Sequence, residues 1–384
     1  MKDYLFIFLL CFSFAQEVRF LDEVFDEVLI TEDQVYGNAP DLPFIFLFEW
    51  NTFDIDLHMD IYEPLGDTMN DRPVIIFAHS GAFFIGSKNA QDMVALCEAA
   101  AKRGYVAISM EYRLGLNILS DYSGERAVYR GVQDGSAIIR YLREYHENFN
   151  INPDKIFFWG SSAGSFIGLH LSYLEESERP LSTYGNNIDP DLGCIDCEGN
   201  DYAHSGKPSA LISTWGAIVD LEMIDEYENI PTALFHGTSD LIVPYNEGYP
   251  FTLNITLPYV YGSVRIAERM NSLNINYSSV IEQNEPHEYY GALNGNFDLG
   301  GGPNEYWNSI LSVSYDFLYQ YLDVGTQGDI NQDDLLNIQD VIILVNFILN
   351  IDEPDDFEFE IADVNNDYIL NILDVVFILD LILN

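Results

Sequence analysis

Between residues 52 and 280 the chain alternates short apolar runs with amphipathic segments, and this alternation restricts the fold more than any other feature. Continuous apolar runs are typical of parallel strands that are covered on both faces. Apolar residues that recur every three to four positions indicate a helix with one buried side. Strands alternating with helices predict a doubly wound α/β sheet. The apolar runs that predict such strands are 73–78, 105–110, 155–159, 210–215 and 232–236.

Other segments extend this prediction. Residues 52–61 alternate apolar and polar side chains, which favours an antiparallel leading strand. Residues 124–145 and 306–322 are predicted helices, the second being the last of the large domain. The length of 384 residues allows one large α/β domain and a small module. We expect a signal peptide at residues 1–15, a catalytic domain at 16–323, a linker at 324–328 and a second module at 329–384.

The charge balance excludes one class of ligand. The chain has 62 Asp and Glu against 16 Lys and Arg, a formal charge of −46. Nucleic acid requires a basic face, which this composition cannot supply. Anionic membrane surfaces are disfavoured for the same reason. Because 48% of the residues are hydrophobic, we expect a large core rather than disorder.

The first residues and the cysteines indicate the compartment. Lys2 precedes an apolar run at residues 4–12, and residues 13–15 form a small-x-small cleavage pattern, which predicts a secretory signal. The run is short for a membrane span, so an uncleaved anchor is the weaker alternative. In an oxidising compartment we favour a local disulfide between Cys194 and Cys197. Their spacing also matches redox motifs, and a zinc site would need a second ligand pair.

A G-x-S-x-G sequence follows one predicted strand. Gly160 to Gly164 come directly after the run that ends at Trp159 and open an apolar helical segment. In this context the motif turns a strand sharply into a helix and exposes the Ser162 hydroxyl. The start of a helix also offers backbone N–H groups to an oxygen that becomes negative during acyl transfer. We therefore predict Ser162 as a nucleophile.

A hydroxyl nucleophile needs a base, and the base needs an acid to orient it. In hydrolases of this kind the order along the chain is Ser, then Asp or Glu, then His. Asp240 lies in a turn after a predicted strand, and His287 follows a strand that ends near Gln283. We predict Asp240 as the acid and His287 as the base, and we interpret His170 and His236 as structural. The glycine-bearing loop after residue 78 predicts an oxyanion hole, and we expect its donors to be the N–H groups of Gly81, Ala82 and Ala163.

These motifs resemble those of α/β-hydrolase carboxylesterases of the esterase/lipase kind over residues 52–322. The resemblance is carried by His79-Ser-Gly-Ala-Phe, Glu111-Tyr-Arg-Leu, Gly160-Ser-Ser-Ala-Gly and His236-Gly-Thr-Ser-Asp. Ser80 and Ala82 stand where that family usually has glycines. The resemblance implies a carboxylic-ester hydrolase with Ser162, Asp240 and His287 in the roles given above. It also implies an acyl-enzyme mechanism without a catalytic cofactor.

The acidic tail contains a duplicated loop. Residues 329–340 align with residues 363–374, and oxygen-bearing side chains occupy positions 1, 3, 5, 9 and 12 of both copies. Ca²⁺ takes six to eight oxygens at such spacing, with a backbone carbonyl from position 7. The predicted ligands are Asp329, Asn331, Asp333, Leu335, Asn337 and Asp340 in the first loop, and Asp363, Asn365, Asp367, Ile369, Asn371 and Asp374 in the second. We expect two structural Ca²⁺ ions, each followed by an apolar helix.

Residues 328–384 resemble a type I dockerin. That resemblance implies calcium in both loops and paired helices that dock onto a cohesin or another cell-surface protein. The glycines common at loop position 6 are replaced here by Asp334 and Tyr368. Each apolar run is too short to cross a bilayer, so we expect no membrane span after signal cleavage.

Together these features predict a secreted serine carboxylesterase. The dockerin resemblance favours ester substrates on polysaccharides, with acetyl and feruloyl groups as candidates. Two alternatives stay open. A serine peptidase of the prolyl-oligopeptidase type shares the triad order, and a binding protein could keep the hydrolase fold without its activity.

Overall fold

The structure, a computed structural model, describes residues 18–42, 49–117, 119–120, 122–252, 257–322, 327–331, 335–354, 356–365 and 367–383. Two compact units divide the chain. The larger is Glu23–Asp323, and the smaller combines Met1–Asp22 with Val324–Asn384. The predicted signal peptide at residues 1–15 and positions 324–326 of the predicted linker lie outside the described residues.

The described part of the larger unit contains these strands: β1 (Val28–Asp41), β2 (Phe53–Pro64), β3 (Arg72–Ala78), β4 (Val106–Met110), β5 (Ile151–Ser161), β6 (Ala210–Thr214), β7 (Ala217–Ile218), β8 (Thr232–Gly237), β9 (Glu247–Gly248), β10 (Val260–Gly262) and β11 (Tyr277–Glu282). Its α-helices are α1 (Gln91–Lys102), α2 (Ser123–Glu144), α3 (His146–Phe149), α4 (Ala163–Tyr173), α5 (Ser263–Leu273), α6 (Phe297–Gly300) and α7 (Glu305–Tyr319). In the smaller unit the helices are α8 (Ile338–Ile348), α9 (Asp356–Ala362) and α10 (Ile372–Leu383).

One large sheet organises the larger unit. Within the described residues its strand order is β1-β2-β4-β3-β5-β6-β8-β11. β2 pairs antiparallel with β1 and β4, and every later neighbour pair is parallel. The carboxyl ends of the parallel strands therefore lie at one edge, which is where open α/β sheets place their binding sites.

The central strands are buried, as their apolar runs predict. Every residue of β3, β4, β6 and β8 is buried. Successive side chains of a strand point to opposite faces, so both faces of this part of the sheet are covered. The predicted helix at 124–145 is α2, and its small residues at Gly131 and Gly135 bring it against Ile167 and Leu171 of α4. On one face of the sheet, side chains such as Val74, Ile108 and Phe158 belong to one apolar core with residues of α2 and α4.

β1 was not predicted. Its register against β2 shifts between Thr31 and Gln34 and again between Val35 and Gly37. Each irregularity changes which side chains face the core, so the alternation that identifies a strand is lost. β1 is also an edge strand with an exposed face, and its sequence is correspondingly polar.

The smaller unit has its own apolar core. Ile330, Leu344 and Ile378 are at most 1% exposed and belong to one cluster with other aliphatic side chains of this unit. α8 and α10 correspond to the two predicted apolar helices, which begin three residues earlier in the structure than expected. α9 was not predicted, because acidic residues interrupt its apolar positions.

Candidate active site

Ser162 lies at the turn between β5 and α4. Its backbone has φ 50° and ψ −109°, a conformation that L-residues rarely adopt. The two motif glycines make this turn possible. A β-carbon on Gly160 would lie 2.2 Å from the carbonyl oxygen of Gly164, and one on Gly164 would lie 2.1 Å from that of Ala78. The Ser162 N–H donates to the carbonyl of Thr214 at 3.0 Å, which fixes the turn against β6.

His287 lies within hydrogen-bond distance of both other predicted triad residues. Its Nε2 atom is 2.8 Å from Oγ of Ser162, and its Nδ1 atom is 2.6 Å from Oδ2 of Asp240. The histidine follows β11, the serine follows β5 and the aspartate follows β8. Parallel pairing of these strands brings residues that are far apart in sequence to the same edge. A neutral imidazole that donates Nδ1–H to Asp240 presents Nε2 as the acceptor of the serine proton.

Asp240 is held by four hydrogen bonds. Oδ1 accepts the backbone N–H groups of Ile242 and Val243 at 2.8 and 2.9 Å, and Oδ2 lies close to His287 and His236. Burial alone would raise the pKa of the Asp240 carboxyl, but hydrogen bonds from the two histidines hold it well below its usual range. The acid therefore stays ionised and can stabilise the imidazolium that forms on His287.

His236 is a site residue that sequence reasoning missed. Its Nε2 atom lies 3.1 Å from Oδ2 of Asp240 and 3.0 Å from the carbonyl of Val243, while its Nδ1 atom lies 2.9 Å from Oγ of Ser263. The sequence predicts a structural role for this histidine, and the structure adds its contact with the acid. It is the second imidazole on the acid, and its position four residues before Asp240 at the end of β8 was the available signal.

The loop after β3 has three consecutive residues with positive φ: Gly81 at 119°, Ala82 at 54° and Phe83 at 56°. A β-carbon on Gly81 would lie 1.9 Å from the carbonyl oxygen of Ile85, so this position requires glycine. The N–H of Gly164 donates to the carbonyl of His79 at 3.2 Å and joins the loop to the nucleophile turn. Ala82 and Ala163 line the same cavity as Ser162, whereas Gly81 does not line it.

The side chain of His79 holds the loop after β3 in place. The ring is fully buried, it stacks on Tyr112 at 4.1 Å, and its Nδ1 atom lies 2.6 Å from the carbonyl of Ser80. Burial lowers the pKa of His79 to about 4, so the ring is neutral at ordinary pH. A neutral ring with Nδ1–H donates to the Ser80 carbonyl and holds that peptide in place.

An apolar cavity of about 60 Å³ opens beside Ser162. Apart from Ser162, its lining side chains are aliphatic or aromatic, or are glycine and proline. The larger of these side chains include Leu116, Val128, Phe166, Val219 and Ile242. A pocket of this chemistry can hold a small uncharged hydrocarbon group next to the Ser162 hydroxyl.

The tail loops repeat one hydrogen-bond pattern. In the first, Asp340 accepts the N–H groups of Asn331 and Asn337 at 3.2 and 2.9 Å; in the second, Asp374 accepts those of the equivalent residues Asn365 and Asn371 at 3.3 and 2.8 Å. The aspartates at positions 1 and 12 of both loops are at most 3% exposed: Asp329, Asp340, Asp363 and Asp374. The remaining predicted ligands that the structure describes are Leu335, Asp367 and Ile369, and Asp333 lies outside the described residues.

These loops have the donor chemistry of a calcium site. Their oxygens come from Asp and Asn side chains and from the backbone at position 7. Among the described residues, however, no three His, Cys, Asp or Glu side chains form a group that could hold a metal ion. Asn337 and Asp340 also form the capping box of α8, which is a second reason for their geometry.

Cys194 and Cys197 form a disulfide, as favoured from the sequence. The loop that they close lies along α2. Gln133 of that helix donates to the carbonyls of Leu192 and Cys194 at 2.6 and 2.9 Å. Cys97 is buried and is not part of a disulfide.

Comparison with solved structures identifies the fold. Esterase 2 of Thermogutta terrifontis phosphorylated by paraoxon aligns with 76% of this chain and 94% of its own, with a TM-score of 0.53 and 20% identity. The propionate-bound form of the same esterase aligns with 70% of this chain and 90% of its own, with a TM-score of 0.51 and 22% identity. The larger unit has the α/β-hydrolase fold. The predicted fold class is confirmed for this unit.

Sequence comparison covers the α/β-hydrolase unit in part. The family model described as BD-FAE matches residues 59–228. Carboxylesterase 3B of Mus musculus is 34% identical over 113 residues, which are 29% of this chain and 19% of that protein. Gut esterase 1 of Caenorhabditis briggsae is 30% identical over 94 residues, 24% of this chain and 17% of that protein. The match thus spans about a fifth of these relatives' own length.

Within the described residues, neither the α/β-hydrolase unit nor the smaller unit contains a helix with the length and apolar character needed to cross a bilayer.

Proposed function

We propose that the chain is a carboxylic-ester hydrolase that uses Ser162 as its nucleophile. The observation that carries this proposal is the continuous contact from Ser162 through His287 to Asp240, at 2.8 and 2.6 Å. The similarity to carboxylesterases and the match to the BD-FAE model support ester chemistry over the other reactions that this fold hosts.

The proposed reaction has two stages. Nε2 of His287 removes the hydroxyl proton as Oγ of Ser162 attacks the ester carbonyl, and the N–H of Ala163 donates to the resulting oxyanion. Ala163 is the first residue of α4, so its N–H has no carbonyl partner within the helix. Collapse of the intermediate transfers the His287 proton to the departing alcohol and leaves an acyl-Ser162. Water, activated by the same histidine, then releases the carboxylic acid.

Hydrolysis of aryl esters tests the proposal directly. We expect the full-length protein to hydrolyse p-nitrophenyl acetate and butyrate and a fluorophosphonate probe to label Ser162. Ser162→Ala should lose at least about 10⁴-fold in kcat and all labelling, with an unchanged melting temperature. Ser165→Ala is a matched control, since this buried serine donates to the carbonyl of Gly160 rather than to a triad residue. Absence of both turnover and labelling in the wild type would contradict the proposal.

The substrate class follows from the tail and the cavity. We propose that the protein is secreted and acts on esters linked to polysaccharide, as the dockerin resemblance suggests. The apolar cavity of about 60 Å³ favours an acetyl group over a feruloyl group. Acetylated xylan, feruloylated arabinoxylan and a prolyl peptide form the decisive panel. Release of acetate from the first supports the proposal, and cleavage of the peptide alone would support the prolyl-oligopeptidase alternative.

We also propose that the two tail loops bind calcium and that the smaller unit docks to a cohesin-like or cell-surface protein. The repeated hydrogen bonds of Asp340 and Asp374 support equivalent roles for the two loops. Calcium should raise the melting temperature of the chelator-treated protein. Asp374→Asn should reduce that rise, whereas exposed Asp352→Asn should not. An identical melting curve with calcium and with chelator would contradict the metal sites, and pull-down with an immobilised cohesin in calcium tests the partner.

A further inference from the structure

A chain of buried hydrogen bonds lies next to the triad. Nε1–H of Trp215 donates to Oγ of Ser161 at 3.0 Å, Oγ of Ser161 lies 3.4 Å from the hydroxyl of Tyr290, and that hydroxyl donates to Oδ2 of Asp92 at 2.6 Å. All four side chains are at most 1% exposed. Because the hydroxyl proton of Tyr290 is donated to Asp92, this hydroxyl can only accept from Ser161. Every hydrogen bond in the series is therefore donated in the direction of the Asp92 carboxylate.

Asp92 is the acceptor at the end of this chain. It is the second residue of α1, and its Oδ1 atom accepts a hydrogen bond from the backbone N–H of Met93 at 2.8 Å. Burial raises the pKa of the Asp92 carboxyl to about 7, and the hydrogen bond from Tyr290 opposes that rise. A buried acceptor of this kind needs its donor, because an unsatisfied polar group in the core is costly.

Each of the other three residues adjoins a catalytic group. Ser161 directly precedes Ser162, and Tyr290 lies three positions after His287. The ring of Trp215 meets the ring of His287 edge to face, with centroids 6.3 Å apart. Trp215 itself has φ 47°, a strained conformation for a tryptophan, so its contacts must hold it there. These hydrogen bonds therefore link the turn at Ser162 and the loop at His287 to helix α1.

The ring of Tyr290 is held independently of its hydroxyl. It packs edge to face against Trp215, Trp307 and Phe297, with centroid distances of 4.7, 5.4 and 6.0 Å. Substitution by phenylalanine would keep these contacts and remove only the hydrogen bonds to Asp92 and Ser161. This separates the role of the hydroxyl from that of the aromatic packing.

We propose that Tyr290 is a positioning residue for ester hydrolysis: its hydroxyl, held by Asp92, fixes Ser161 and Trp215 and through them the approach of His287 to Ser162. The inference rests on the proposed function of this site. Small errors in the placement of reacting groups are expensive in rate, since a displacement of about 1 Å can cost about 10²-fold.

The first test compares two conservative variants. Tyr290→Phe should lower kcat on p-nitrophenyl acetate by about 10- to 100-fold, while KM changes by less than twofold. Tyr173→Phe is the matched control, because the hydroxyl of this buried tyrosine donates to the carbonyl of Ile230 at 2.6 Å, at the far end of α4. Both variants lose a buried hydrogen bond, so both should be less stable, but only the first should lose rate. A kcat for Tyr290→Phe within twofold of wild type would overturn the proposal.

The second test asks whether Asp92 acts through Tyr290. Asp92→Asn keeps an oxygen that can accept from the hydroxyl, and it should retain kcat within about threefold. Asp92→Ala should resemble Tyr290→Phe, and the double variant should lose no more rate than the more impaired single variant, since both act on one contact. Multiplication of the two losses would contradict a shared route.

A readout that does not depend on turnover separates this proposal from the proposed function. If the wild type neither hydrolyses esters nor reacts with fluorophosphonate, the proposed function fails, and the Nδ1 proton resonance of His287 then reports on positioning. Tyr290→Phe should shift this resonance and Tyr173→Phe should not. Identical resonances in the wild type and Tyr290→Phe would overturn the positioning role.

Discussion

His236 lies 3.1 Å from the Asp240 oxygen that also contacts His287. The acid thus has two imidazole partners, one facing the nucleophile and the other in the core. Ser263 contacts Nδ1 of His236 at 2.9 Å, so a neutral His236 accepts from the serine and donates from Nε2. This arrangement keeps Asp240 ionised and fixes the face of the carboxylate that His287 meets.

Removal of the second imidazole should therefore weaken the base. We expect His236→Leu to lower kcat about 10-fold, because Asp240 loses one of the hydrogen bonds that hold its pKa low. His236→Gln can place an amide N–H near the position of Nε2, and it should retain most of the rate. The measurement is kcat against pH for both variants. Equal losses for leucine and glutamine would mean that the imidazole acts by packing alone.

Two neighbouring positions of the oxyanion loop should differ in their response to small substitutions. Gly81→Ala should lower kcat by about 10²-fold or more, since the new methyl group would meet the carbonyl oxygen of Ile85 at 1.9 Å and displace the loop. Ala82→Gly should keep the rate, because glycine adopts φ 54° without strain. Steady-state kinetics with p-nitrophenyl acetate and melting curves of both variants provide the check. A fully active Gly81→Ala variant would show that the shape of this loop does not affect catalysis.

The apolar cavity should set the acyl length. We expect kcat/KM to fall from p-nitrophenyl butyrate to the octanoate, because the cavity of about 60 Å³ is small and leaves part of the longer chain in water. Leu116→Ala enlarges the cavity and should raise the octanoate-to-acetate ratio of kcat/KM by about 10-fold. A change of this size is typical when an apolar pocket gains or loses a few methylene groups. Leu174→Ala, at a buried leucine that does not line this cavity, is the control. An unchanged ratio in Leu116→Ala would place the acyl group elsewhere.

Acid should destabilise the protein partly through His170. Burial lowers the pKa of this ring to about 4, although its hydrogen bond to the carbonyl of Phe166 opposes the shift. The unfolded chain binds a proton here below about pH 6.5 and the folded chain only below about pH 4. Stability is therefore lost as the pH falls through that window.

The effect can be isolated by comparison with a variant. Between pH 7.5 and pH 5, His170 should contribute about 2 kcal/mol to the loss of unfolding free energy. His170→Gln does not titrate, so its stability should fall by that much less over the same range. Urea unfolding at both pH values measures the difference, in which the other titrating groups cancel. Equal losses in the two proteins would show that His170 takes up its proton over the same pH range in the folded and the unfolded chain.

Tyr368 occupies position 6 of the second tail loop with φ 60°. A non-glycine residue in this conformation costs about 1–2 kcal/mol. Tyr368→Gly should relieve that strain, raise the melting temperature and, if the loop binds calcium as proposed, tighten binding several-fold. The exposed Tyr227→Gly variant serves as a control for loss of a surface tyrosine. Lower calcium affinity in Tyr368→Gly would show that the tyrosine side chain supports the loop.

Much of the α/β-hydrolase unit could be predicted because its signals are local. The apolar run at 73–78 is a strand that is buried on both faces, and the small residues around Ser162 permit one particular turn. β1 could not be predicted in the same way, since its bulges break the alternation and its edge position tolerates polar side chains. The strands β7, β9 and β10 have two or three residues each and are too short to show a period.

The sequence by itself determined the alternation of the central strands with helices, the serine at a strand-to-helix turn, and an aspartate and a histidine after later strands. These follow from chemistry within a few residues of each position. Only the tertiary structure decided that His236 shares Asp240 with His287 and that Tyr290 joins Asp92 to Ser161. Such contacts join side chains up to 198 positions apart. They depend on which strands pair and on how closely helices pack, and no local pattern in the chain records either.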